Sequence, residues 1–377
     1  MTKARYKTLI LALSLAVSAF AADWRLALPG WQYEFPLDHE PHDDFRTEWW
    51  YFTGNLQDSA ARRFGYELTF FRQGMRPPAD RAATKSKLIV NDLPFAHFAI
   101  SDPHGNRFLY WEKINRAAFG EAGFGDGKRL AWIENWSLEF DDPRTFHLHA
   151  SEGANSIDLT LENVKTSWAV HGLEGVSQKA VGEGHASHYY SGTRLRTHGT
   201  LVLDGAHFDI SGESWFDHEW ATNQLTPEQA GWDWFSFQFD DQTEVMLYQM
   251  RLRNGSSDPE SSGTFIDQSG QTQHLTRDDY QLTPLRYWTS KKTGARYPSA
   301  WQLQIPRLAI TAEITTPLAD QELSLPSLAY WEGLIDIRGT RANRPLAGRG
   351  YMEMTGYASA LTGLSDPSRA PTSNGGK

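Results

Sequence analysis

Apolar and polar residues alternate in short runs along most of this chain. Tyr66, Leu68 and Phe70 share one side of such a run, as do Trp136, Leu138 and Phe140. Ile157, Leu159 and Leu161 repeat the pattern, followed by Phe235, Phe237 and Phe239, then Ile310, Ala312 and Ile314. A period of two puts alternate side chains on one face of a β-strand. Turn-forming clusters separate the runs, among them Asp102-Pro103-His104-Gly105, Asp126-Gly127, Asp141-Asp142-Pro143, Asp204-Gly205, Asn254-Gly255 and Ser269-Gly270. Many short strands punctuated in this way predict an antiparallel sandwich or barrel. No sustained helical period follows residue 22, although residues 227–230 could close a short helix.

The first residues read differently. Lys3, Arg5 and Lys7 precede an apolar run over residues 9–17, and Ala19-Phe20-Ala21 offers a small-x-small cleavage site. This is the pattern of a secretory signal peptide over residues 1–21. The apolar run is shorter than the roughly 20 residues that span a bilayer. No later stretch is apolar enough to span either, so no integral membrane segment is expected after cleavage. A periplasmic or secreted location follows, and the absence of Cys suits a chain that needs no oxidative folding.

Beyond the signal, an all-β unit of more than 300 residues would exceed the usual size of one core. Two Trp-rich runs echo each other: Thr47-Glu48-Trp49-Trp50-Tyr51-Phe52 and Gly231-Trp232-Asp233-Trp234-Phe235-Ser236-Phe237. Domains over residues 22–222 and 223–362 are predicted, with a disordered tail over 363–377 rich in Ser, Pro and Gly.

Composition excludes several functions. The net charge is −10, which opposes a nucleic-acid partner, since phosphate binding leaves a basic footprint. With Cys at zero there is no thiolate metal site and no Cys nucleophile. The chain carries no Gly-x-Ser-x-Gly elbow, phosphate loop, dinucleotide fingerprint or His-Glu-x-x-His pair. His147 with His149 and His185 with His188 lack an obvious third ligand, so neither metal nor cofactor is expected.

Several separated motifs point to one family. Thr47-Glu48-Trp49-Trp50-Tyr51-Phe52-Thr53-Gly54-Asn55-Leu56 resembles the opening motif of the AttH/carotenoid 1,2-hydratase (CrtC-like) family. His188-Tyr189-Tyr190-Ser191 with Arg194 is similar to its middle motif, and Gly212-Glu213-Ser214-Trp215-Phe216-Asp217-His218-Glu219-Trp220 to its third. Trp232-x-Trp234, Tyr330-Trp331-Glu332-Gly333 and Gly350-Tyr351-Met352-Glu353-Met354-Thr355-Gly356-Tyr357 continue the likeness, which runs over residues 31–357. The resemblance implies two lipocalin-like antiparallel β-barrel domains packed together. It also implies relatives that hydrate apolar polyenes, fungal pericyclase-type enzymes, and secreted proteins encoded with ABC-type export systems.

The candidate chemistry is embedded in aromatics. On a strand, Asp217 and Glu219 share one face, and His218 and Trp220 the other. His218 matches the His-x-Trp of the hydratases and could protonate an alkene; alternatively it bonds structurally across a domain junction. Glu48 could act as a general acid or ligand anchor, or pair with Arg194 or Arg72. His218, Glu48 and Asp217 are therefore the candidate catalytic residues. Trp49, Tyr51, Tyr190, Arg194, Trp220, Trp234 and Tyr248 are the candidate ligand-binding residues. Tyr189 and Tyr190 alternate, so only one of them can line a cavity. Glu48, Tyr190, Arg194, Asp217, His218 and Trp220 are expected to gather at one cavity or junction, because buried charges embedded in aromatic strands need partners. One departure stands out: Tyr248-Gln249-Met250 has Met250 where the resemblance implies an acid, and a thioether cannot donate a proton.

These features predict an exported lipocalin-like protein that binds an apolar or amphipathic small molecule, such as a lipid, isoprenoid or polyene, linked to ABC transporter components. The alternative is a lyase, isomerase or hydrolase of the same family that works on such a molecule by acid–base chemistry.

Overall fold

The computed structural model describes residues 24–81, 89–326 and 328–359. The expected signal segment and the expected tail at 363–377 lie outside the described residues. The alternating runs become strands Arg63–Gly74, Trp136–Asp142, Asn155–Asn163, Gln229–Phe239 and Ile310–Thr315. Residues 227–230 do not form a helix; Gln229 already opens a strand, because its neighbours alternate into the second sheet.

The molecule is all-β, built from two antiparallel sheets that each curl into a barrel. The first runs from Thr47–Asp58 to Ala206–Ala221, and the second from Gln229–Phe239 to Arg344–Met354. In the first sheet, Arg63–Gly74, Thr47–Asp58, Ala206–Ala221, Ala186–Leu203 and Asn155–Asn163 lie side by side in that order. Its two ends curl together: Lys113 on one edge strand reaches Glu134 near the other edge at 2.8 Å, and the rings of Phe98 and Trp136 meet at 5.6 Å. In the second, Glu244–Leu252, Gln229–Phe239, Arg344–Met354 and Ala329–Arg341 are neighbours.

Three apolar clusters result. Trp50, Phe52, Phe146 and Phe216 fill the first barrel, and Phe235, Phe237 and Trp301 fill the second. Tyr51, Trp215, Trp234, Leu334 and Tyr351 form a third cluster between the sheets. Strand Thr47–Asp58 is therefore covered on both faces and is buried along nearly its whole length. Its even positions, from Glu48 to Leu56, point into the first barrel. Its odd positions, Trp49 and Tyr51, belong to the layer between the sheets. This double burial explains the aromatic density of the motif: both faces of one strand need bulky fillers.

Candidate functional site

The layer between the sheets encloses a cavity of about 510 Å³. Its apolar walls come from both sheets: Trp49, Phe71 and Phe95 from the first, Trp232, Trp234 and Met250 from the second. Set into those walls are Asp217, Glu219, Lys179, Tyr189, Glu332 and Glu353. Ligand sites combine apolar walls with a few placed polar groups in this way.

Asp217 is the best-supported polar group of the cavity. Tyr189 donates its hydroxyl to Asp217 Oδ2 at 2.7 Å, and Trp215 Nε1 donates to Oδ1 at 2.6 Å. Ser191 Oγ also donates to Oδ1. The Trp234 indole in turn donates to the Tyr189 oxygen at 3.0 Å. Behind Ser191 stands His171, 2.6 Å away through Nε2 and 2.9 Å from Thr264 Oγ1 through Nδ1. Burial holds the His171 pKa well below its ordinary value, so the ring is neutral. Burial also pushes the Asp217 carboxyl up to about 7, against the lowering effect of its three donors.

Two residues along the same strand face, Glu219 pairs with Lys179 at 3.0 Å. Burial opposes the Lys179 ammonium, but Glu219, Tyr248 and Asp217 outweigh it and raise its pKa, so Lys179 stays charged. Across the cavity, Glu332 and Glu353 stand on adjacent strands in direct register. Burial, and then the neighbouring carboxyls Glu353 and Glu67, drive Glu332 well above the carboxylate range, and burial pushes Glu353 up to about 7.

The other face of the same strands holds a separate, sealed cluster. His218 Nε2 lies 2.9 Å from Glu48 Oε1, and Glu48 Oε2 accepts from Arg72 Nε at 2.9 Å. His42 touches Glu48 through Nδ1 at 2.8 Å and Asp38 through Nε2 at 3.2 Å. Both ring nitrogens of His42 thus face carboxylates; burial opposes the imidazolium, the two acids outweigh it, and its pKa is raised. Burial lowers the His218 pKa. His218 Nε2 faces the Glu48 carboxylate, and its Nδ1 lies 2.9 Å from the Asp38 carbonyl and 3.0 Å from the Tyr190 hydroxyl. The Tyr190 hydroxyl donates to the Asp38 carbonyl at 3.1 Å and lies 2.5 Å from His39 Nδ1. Trp220 stacks on His42 with ring centroids 3.7 Å apart. Burial would raise the Glu48 pKa, but Arg72, His218 and His42 hold it far below its ordinary value.

The expected single site is thus two compartments. Glu48, Tyr190, His218 and Trp220 do come together, but inside the first barrel, and none of them lines the cavity. The candidate catalytic residue Asp217 and the candidate ligand-binding residues Trp49, Tyr51, Trp234 and Tyr248 line the cavity. Of the two adjacent tyrosines, Tyr189 faces the cavity and Tyr190 does not. Arg194 belongs to neither compartment. A register shift between Gly192 and Leu195 turns it toward the second sheet, where it donates to Glu244 at 2.7 Å and to the Phe239 carbonyl at 2.9 Å. Lys179, Glu219, Glu332 and Glu353 line the cavity without being among the expected site residues. Glu332 and Glu353 sit inside quoted aromatic motifs, a signal that could have found them; Lys179 carries no such signal.

His42, Glu48 and His218 are also the one group among the described residues whose three ligand atoms lie within 4.8 Å of one another. Each of these atoms already has a hydrogen-bond partner, and the Arg72 guanidinium stands on Glu48. A cation would have to displace those bonds beside a fixed positive charge, so the cluster fits an ion pair network better than a metal.

Two curled sheets packed over an aromatic cavity define a double lipocalin-like protein. The family model described as AttH-like matches residues 26–357, and the chain belongs to that family. Its fold is similar to the crystal structure of an AttH from Nitrosomonas europaea, at TM-score 0.79 and 32% identity, covering 88% of this chain and 99% of that one. It is also similar to kievitone hydratase from Nectria haematococca, at TM-score 0.66 and 15% identity, covering 87% and 93%. Comparison with curated proteins gives no match. Among the described residues, no helix is long and apolar enough to cross a membrane.

Proposed function

We propose that the chain takes an apolar or amphipathic small molecule into the cavity between its sheets and acts on it as a lyase of the hydratase type. The observation that carries this reading is the pair Asp217 and Glu219 on one strand face at an apolar wall. Their surroundings differ: Asp217 is held by the neutral donors Tyr189, Ser191 and Trp215 with a pKa of about 7, whereas Glu219 is ion-paired with Lys179 at 3.0 Å. Carboxyls set apart by their environments serve as acid and base. Asp217 gives its proton to one carbon of a substrate double bond, water adds its oxygen to the other carbon, and Glu219 takes the proton that water loses. Glu219 then returns that proton to Asp217 through solvent, so the net change is one water added across the double bond. The likeness to a hydratase, at 15% identity, speaks for the fold alone. The signal-like residues 1–21 support a periplasmic or secreted location, and a link to an ABC-type exporter rests on the family resemblance.

Met250 favours a second reading. It lines the cavity at the position where the family resemblance implies an acid, so a carrier that binds without turnover also suits the site. Incubation with a panel of isoprenoid alkenes in isotopically labelled water separates the two. Incorporation of one labelled water by the wild type, lost in Asp217→Asn, supports the lyase. Retention of the alkene with no incorporation leaves the carrier.

A further inference from the structure

Glu332 and Glu353 take no part in the chemistry above. They stand directly opposite each other on neighbouring strands, so their side chains leave the same face with Cβ atoms about 4.5–5.5 Å apart. The Tyr51 hydroxyl donates to Glu332 Oε1 at 2.6 Å, and the Trp232 indole donates to Glu353 Oε2 at 2.9 Å. Glu332 is 0% exposed, and its Oε2 has no hydrogen-bond partner among the described residues. Neither carboxyl has a Lys or Arg partner among the described residues. Lys179, the one Lys or Arg of the cavity wall among the described residues, is taken by Glu219. Trp49, Trp232, Trp234 and Tyr330 supply aromatic rings in the same wall.

A pair of buried carboxyls with no Lys or Arg paired to them among the described residues is costly, because like charges at that spacing cannot both ionise. Gln at either position would accept the same hydrogen bonds without that cost. A carboxyl offers one thing an amide does not, a negative charge that forms when a cation arrives. Aromatic faces around such a charge are the setting in which an ammonium is held.

We infer that the cavity is built for an amphiphile with a cationic head, a primary or quaternary ammonium, seated at Glu332 and Glu353 among the indole rings, with its apolar body along Phe71, Phe95 and Met250. The inference rests on the reading of this cavity as an amphiphile site and names the ligand class. It has a thermodynamic signature: the arriving cation lets a carboxyl ionise, so binding expels a proton.

The test is calorimetric titration of the full chain with three ten-carbon probes below their aggregation limits: decyltrimethylammonium, 1-decanol and decyl sulfate. Decyltrimethylammonium is expected to bind about tenfold or more tighter than 1-decanol. Its apparent binding enthalpy should differ between phosphate and Tris buffers by the amount expected for release of a proton. In Glu332→Gln, and separately in Glu353→Gln, the advantage over 1-decanol and the buffer dependence should both shrink. Equal binding of 1-decanol, or tighter binding of decyl sulfate, overturns the inference and leaves the cavity an amphiphile site. An ammonium preference that persists in both variants overturns it too. If none of the three probes binds, the cavity reading falls and the inference with it.

Discussion

Asp217 and His218 are neighbours in the chain and belong to different compartments. Asp217 lines the cavity between the sheets, while His218 is sealed in the first barrel, 2.9 Å from Glu48. Strand alternation alone produces this, since consecutive side chains leave opposite faces and both faces are buried here. The consequence is a division of labour. Substitutions one residue apart should have opposite phenotypes, one on ligand chemistry and one on folding.

Glu48→Gln should therefore act on stability. Both side chains of the Glu48–Arg72 pair are fully buried. Removing the negative charge leaves the Arg72 guanidinium with Asp92, 3.0 Å away, in place of its wholly buried partner; a loss of about 3 kcal/mol, the lower end for a broken buried pair, is expected. Denaturant midpoints should fall accordingly, while amphiphile retained per folded molecule stays at the wild-type level. A variant that keeps its midpoint but loses the ligand would place the site in the barrel after all.

Asp217 gives a pH dependence of unusual sign. Its folded pKa, about 7, lies above the ordinary 3.8. The folded state thus holds the proton more tightly than the unfolded chain, and this contribution is complete below about pH 4. It is lost as pH rises through 7, at up to about 1.4 kcal/mol per pH unit for one such group. Glu353, also pushed to about 7, adds in the same direction. Urea denaturation from pH 4 to 8 should show stability falling toward pH 7, with a shallower fall in Asp217→Asn. Water addition by the wild type should fall above about pH 7, where the acid has lost its proton. A slope unchanged by the substitution would mean that Asp217 is already ionised in the folded state.

The sequence shows much of this in advance, and the limits are instructive. Period-two runs such as those at Ile157 and Phe235 locate strands, because one face of each is core. The alternation of Asp217 and His218 is equally legible. What one chain does not show is which face meets which compartment. When both faces are buried, hydrophobicity no longer tells inside from between, so Tyr190 and Tyr189 read alike. The register shift that swings Arg194 out of the barrel leaves no mark in composition. Lys179 reads as an ordinary surface residue, because its burial depends on Glu219, forty positions further along the chain.

Arg194 should behave as a strut between the sheets. It donates to Glu244, which is also paired with Lys165 at 3.1 Å, and to the backbone of Phe239. Glu244 is wholly buried, so Glu244→Gln leaves Lys165 facing a neutral amide and Arg194 with only the half-exposed Glu213 as carboxylate partner among the described residues. A loss of about 3–5 kcal/mol is expected, read as a lower denaturation midpoint, with probe binding in the cavity kept in the folded fraction. Loss of binding at an unchanged midpoint would return Arg194 to the ligand site.

The packing of the two sheets can be tested at one contact. Gly65 on the first sheet faces Leu334 on the second; a Cβ built at residue 65 would lie 2.6 Å from Leu334 Cγ and 2.8 Å from both of its methyl carbons. Leu334 is 0% exposed, so it has no solvent into which to retreat. Gly65→Ala should overpack the interface and destabilise by about 1–3 kcal/mol. Leu334→Ala should destabilise by about 2–5 kcal/mol by leaving a cavity. In the double variant the new methyl fills part of the space that the leucine vacated. The two losses should then combine to less than their sum, by about 0.5 kcal/mol or more. The comparison needs only denaturation curves for four proteins. Strict additivity would show that the two residues do not touch, and that the sheets do not meet as described.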